Sequence, residues 1–123
     1  AAGWIFFQTT GSVGGLQFFV DGTTDMSVIT ATNVITYNKW EHVLVTWDGS
    51  MTAANVHIFV NGVEVTYTTQ TNGATRTDEA NNNLNIGNDV SGIRTWDGLI
   101  DEVRVYNRAL SALEIQQIYN AGR

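Results

Sequence analysis

Twelve carboxylates and two imidazoles carry the titratable chemistry of this 123-residue chain, and their spacing limits what they can do. Retaining hydrolysis of a glycosidic bond needs two carboxyl groups about 5–5.5 Å apart. On a strand, that means acids two or four residues apart on one face, and the motif E-x-D-x-x-E does not occur. Asp78 and Glu79 are adjacent in a polar stretch, Asp101 and Glu102 are neighbours on opposite faces, and Glu41 and Glu64 stand alone. His42 and His57 have no cysteine or serine-centred motif beside them, so neither a nucleophilic triad nor a zinc site is expected. The reading is of a protein that is not an enzyme.

Asp101 poses a different question. In "GLIDEVRVY", Leu99, Asp101, Val103 and Val105 alternate onto one face, so an acid interrupts an aliphatic row where uncompensated burial would be costly. It must cap backbone N–H groups, pair with an arginine or help hold a metal. What remains is binding. Sugars present apolar C–H faces and polar rims, so their sites combine an aromatic platform with amide, carboxylate or guanidinium groups. The residues that suit this are Trp4, Tyr67 and Trp96 with Asn72, Arg76, Asn88, Asp89 and Arg94. The polar contacts come from two loops, Asn72 to Asn83 and Asn88 to Arg94, while Tyr67 flanks a loop and Trp4 lies near the start of the chain.

The elements that must position these groups read as all-β. Thr, Val, Ile and aromatic residues abound, proline is absent, and turns must rest on Gly, Asn and Asp. "GWIFFQ", "LQFFV" and "MSVIT" are short strands separated by the glycine-centred turns "TTGSVGG" and "DGTTD". "WEHVLVTWDG" is apolar on both faces and reads as a central, doubly covered strand. In "NVHIFVNGVEVTY", Asn61-Gly62 between alternating runs predicts a type I′ hairpin. Thr68 to Asn83 lacks periodicity and reads as the longest loop. "LNIG" (Leu84 to Gly87) and Leu99 to Tyr106 complete some nine strands. A single helix follows, with Ser111 and Glu114 at capping-box spacing and Leu110 and Ile115 as the staple. Its apolar stripe is Ile115, Ile118 and Tyr119, and Gly122 suits its C-terminal end. Together these predict one all-β domain over residues 1–123, an antiparallel two-sheet β-sandwich with a short C-terminal helix.

The bulk numbers exclude other classes. A net charge of −6 with a single lysine, Lys39, is unsuited to nucleic acid or anionic lipid. No apolar run approaches a membrane span, so membrane insertion is not expected. Cysteine is absent, and the twelve asparagines include no Asn-x-Ser/Thr acceptor.

Four segments, "KWEHVLVTWDGS", "VHIFVNGVEV", "NNNLNIGND" and "WDGLIDEVRVYNRALSALEIQQIYNAG", resemble in order and spacing the bacterial laminin G-like domains of the concanavalin A-like lectin/glucanase superfamily. The resemblance implies a jelly roll, extracellular or cell-surface, appended to a larger protein and binding polysaccharide or another glycan. A structural or adhesion domain making protein contacts is the alternative. It implies structural calcium as the cofactor, with Asp101, Asp97 and Asp89 as metal residues. Trp40 and Trp47 match core positions of the family, and His42 a packed strand position. Family members also begin with strands that precede the equivalent of "GWIFFQ". The chain therefore reads as a fragment or minimal version whose sheet edges, that of Leu99 to Tyr106 included, lack a neighbour. An unpaired strand is a template for another chain, which predicts a homodimer through that edge.

Overall fold

The computed structural model describes residues 3–122. Its first sheet has four antiparallel strands in the order β1-β2-β4-β8: β1 (Trp4–Gln8), β2 (Leu16–Val20), β4 (Met26–Thr30) and β8 (Tyr67–Thr71). The second contains β5 (Val43–Thr46), β6 (His57–Val60) and β7 (Val63–Glu64), and β3 (Gly22–Thr24) pairs with β9 (Ala74–Arg76) as a separate ribbon. Strict alternation makes the layers. Leu16, Phe18 and Val20 of β2, Met26 and Val28 of β4, and Ile58 and Val60 of β6 meet in one buried cluster between the two larger sheets. The arrangement is a mostly-β, antiparallel sandwich, as predicted.

Local chemistry sets the corners. Asn61 (φ 52°) and Gly62 (φ 80°) both take left-handed conformations, and Val60 pairs with Val63 across them, so the type I′ hairpin forms as read. The helix α1 (Ala112–Gly122) opens with the reciprocal capping box: the Ser111 amide donates to Glu114 Oε2 (2.8 Å) and the Glu114 amide to Ser111 Oγ (3.2 Å). Leu110 and Ile115 pack with Phe59, so α1 lies on the outer face of the β5-β6-β7 sheet.

Five expectations require correction. "DGTTD" is not simply a turn, since it contains β3; and the polar stretch read as the longest loop contains most of β8 and all of β9. Their threonines are β-branched and suit strands. Alternation was not visible because β8 is an edge strand with one face in water. "LNIG" forms no strand, and neither does Leu99 to Tyr106. A helix satisfies its own backbone, whereas a strand exists only if a neighbour supplies the ladder. None of the described backbone bonds outside regular elements involves residues 97–110. Within that run Glu102 has φ 52°, a conformation costing a non-glycine residue about 1–2 kcal/mol and incompatible with a continuous strand. Finally, β5 is covered on both faces but is an edge strand, because it pairs only with β6.

Candidate functional site

The free edges of β1 and β5 face the same space. The irregular chain from 81 to 110 forms its outer wall, and together they enclose a cleft of about 2670 Å³. That is several times the 300–1,000 Å³ typical of small-molecule pockets. Its walls are rich in aromatic side chains: Phe18 lies 6.0 Å from Trp4 and 5.5 Å from Trp47, ring centre to ring centre.

Residues 87–96 make a pinned loop on the outer wall. The Trp96 amide donates to the Gly87 carbonyl (2.8 Å), and Asn88 Nδ2 donates to Thr95 Oγ1 (3.0 Å). Inside it, the Asp89 carboxylate accepts from Ser91 Oγ (2.9 Å), the Ile93 amide (3.1 Å) and Arg94 Nη1 (2.8 Å). Arg94, so anchored, places its guanidinium 5.3 Å from the centre of the Phe7 ring, a cation–π contact that ties the loop to β1. Burial of the Asp89 carboxyl opposes ionisation, but the Ser91 and Ile93 hydrogen bonds and the Arg94 charge outweigh it, and its pKa falls to about 2. The sign follows directly. The folded value is depressed, so the clamp's stabilisation is complete above the unfolded value near 4 and is lost as pH falls toward 2. Following the Asp89 carboxyl by NMR through an acid titration should give a midpoint near pH 2. A midpoint near 4 would mean that the clamp does not form.

The structure sorts the sequence-selected residues into two groups. Trp4, Asn88, Asp89, Arg94 and Trp96 all line the cleft. Tyr67, Asn72 and Arg76 lie elsewhere and hold the framework. The Tyr67 hydroxyl accepts from the Ile58 amide and donates to Glu64 (both 2.8 Å), and burial above all raises its pKa. Asn72 Oδ1 accepts from the Ala53 amide (2.8 Å), and Arg76 stacks 5.3 Å over Trp47. Trp47 is a packed residue, as the family resemblance implied, its indole N–H donating to the Ser50 carbonyl (2.7 Å). His42 is likewise half-buried, with its pKa lowered first by burial and then by Arg104.

Trp40 departs from its expected core role: it is 64% exposed at the cleft mouth. Glu41 turns away to accept from the Thr36 amide (2.7 Å), and the strand begins only at Val43. A hint was available in the sequence, since the aliphatic alternation also begins at Val43 and leaves Trp40 outside it.

The acids do not assemble into a calcium cage. Among the described residues there is no group of three or more His, Asp or Glu side chains placed to hold a metal. Asp101 is exposed and accepts from the Glu102 amide beside it (2.8 Å), Asp97 is exposed, and Asp89 is committed to Arg94, whose charge repels a cation. As arranged, these three do not fit the ion.

A laminin G family model, described as the concanavalin A-like lectin/glucanases superfamily, matches residues 1–116. The 2.1 Å crystal structure of an S-layer domain-containing protein (residues 221–444) from Clostridium thermocellum ATCC 27405 is similar over 97% of this chain, with TM-score 0.52 and 21% identity. At that identity the likeness is one of fold, and this chain spans 64% of the length of that one. No curated protein matches the sequence.

Proposed function

The chain belongs to the concanavalin A-like lectin/glucanase superfamily, and from that premise we propose that it is a non-catalytic, jelly-roll carbohydrate-binding module of a secreted or surface multidomain protein. One observation carries the reading: Trp4, Trp40 and Trp96 line the same long cleft as Asn88 and Arg94. Indole faces accept the C–H faces of a sugar, while amide and guanidinium groups reach its hydroxyls. The cleft's volume, about 2670 Å³, favours a polysaccharide over a monosaccharide. None of the described helices is long and apolar enough to cross a membrane.

Tryptophan fluorescence of the chain titrated with a panel of soluble polysaccharide fragments tests the proposal. Saturable quenching is expected, with affinity lowered at least tenfold in Trp40→Ala, because stacking on an exposed aromatic supplies much of the contact. Absence of saturable change across the panel would overturn the saccharide reading. It would favour a structural or adhesion domain, a reading supported by the aliphatic side chains exposed between Leu84 and Tyr106.

A further inference from the structure

Leu99 to Tyr106 has a strand-forming sequence and, among the described residues, no strand partner. Leu99, Val103 and Val105 are 79%, 50% and 66% exposed on one row of the alternation, and Ile100 and Tyr106 are each 44% exposed on the other. Soluble chains rarely leave so many large apolar side chains together in water. Glu102, in the middle, sits in a left-handed conformation that extension into a strand would relieve. Apolar exposure and backbone strain thus coincide in one short stretch.

The charges in that stretch identify the occupant. Glu102 and Arg104 lie two apart on the same row and pair with each other at 2.9 Å, both well exposed. Two copies of the segment laid antiparallel about a two-fold axis through Val103 place Val103 opposite Val103. Glu102 of each copy then lies opposite Arg104 of the other, and Ile100 opposite Tyr106. Directly opposed residues in an antiparallel pair share a face, so opposite charges meet twice and aliphatic and aromatic groups cover one another. The neighbouring two-fold registers, centred on Glu102 or on Arg104, set Glu102 against Glu102 or Arg104 against Arg104 and are repulsive. The sequence of the segment is therefore complementary to itself in one register.

We propose that Leu99 to Tyr106 is a homodimerisation strand, pairing antiparallel with the same segment of a second copy about Val103, with reciprocal Glu102–Arg104 ion pairs. Such an interface is isologous and closes at two copies, so it blocks open-ended edge pairing. It does not rest on the saccharide reading, since it uses none of the tryptophans, although Ile100 to Tyr106 also line the cleft's outer wall.

Charge reversal at these exposed positions leaves the core intact and supplies the test. Sedimentation velocity should show wild-type mass shifting from 13.5 kDa to twice that value as concentration rises. Glu102→Arg and Arg104→Glu should each weaken the dimer about thirtyfold, because two attractive cross-strand pairs become repulsive. An equimolar mixture of the two single variants should recover dimer, and so should the double variant alone. Amide exchange across Leu99 to Tyr106 should slow as the dimer forms. A wild-type chain that remains 13.5 kDa at millimolar concentration overturns the proposal. A dimer indifferent to both reversals, or single variants that fail to recover when mixed, overturns it as well.

Discussion

Replacing Phe18 by alanine is expected to lower the stability of the domain by about 3–5 kcal/mol, the range for truncating a buried phenylalanine. Phe18 is 2% exposed and sits in the cluster that joins the two larger sheets. Its ring also touches Trp4 and Trp47, so removal empties a space with three aromatic walls reduced to two. Collapse is resisted because the neighbours on β2 and β4 are held by ladders on both sides. Small domains have only about 5–15 kcal/mol in total. Urea unfolding should therefore show a midpoint shifted by a large fraction, with the slope unchanged. A loss below about 1 kcal/mol would mean that the site relaxes freely, and the packed interface between sheets described above would not exist.

Ile115→Ala should cost about 2–5 kcal/mol. Ile115 is fully buried against Phe59 and Leu110 and is the central contact of α1 with the outer face of the second sheet. The adjacent Leu113 is 64% exposed on the same helix, so Leu113→Ala should stay within about 0.5 kcal/mol and serves as the control. The consequence extends beyond stability. The docked helix fixes the C-terminal end of the irregular chain that walls the cleft, through Leu110 and the Arg108–Glu114 ion pair (2.6 Å). Loosening it should make that wall more sensitive to proteolysis at Tyr106. Equal costs for Ile115→Ala and Leu113→Ala would show that the helix is not seated as described.

Both large effects fall on residues whose roles could be read in the sequence. Phe18 lies in a five-residue alternating run, and Ile115 follows a capping box at the spacing of a staple. The hairpin at Asn61-Gly62 was equally plain. In each case the information is local, because periodicity, caps and positive φ are properties of neighbours in the chain. The site was legible only in part. Trp4, Asn88, Asp89, Arg94 and Trp96 were chosen for their chemistry and converge on the cleft, but Tyr67, Asn72 and Arg76, chosen on the same grounds, serve the framework. Side-chain type cannot distinguish a group lining a cleft from one bonded to its own framework.

The segment "GLIDEVRVY" marks the boundary between the two kinds of knowledge. Its alternation predicted a strand, and the residues have that propensity, yet no ladder forms and Glu102 turns the chain aside. Conversely "YTTQT" has no apolar period and is a strand, because β4 offers an edge at the right place. What the amino-acid order determined alone was the mostly-β class, the turn at Asn61 and the helix start at Ser111. Only the tertiary structure decided which strands have neighbours, which edges stay open and that a cleft lies between them. The reason is physical: turns and caps are satisfied within a few residues, whereas a strand outside a tight hairpin needs partners that are distant in sequence, and the sequence does not say whether they are there.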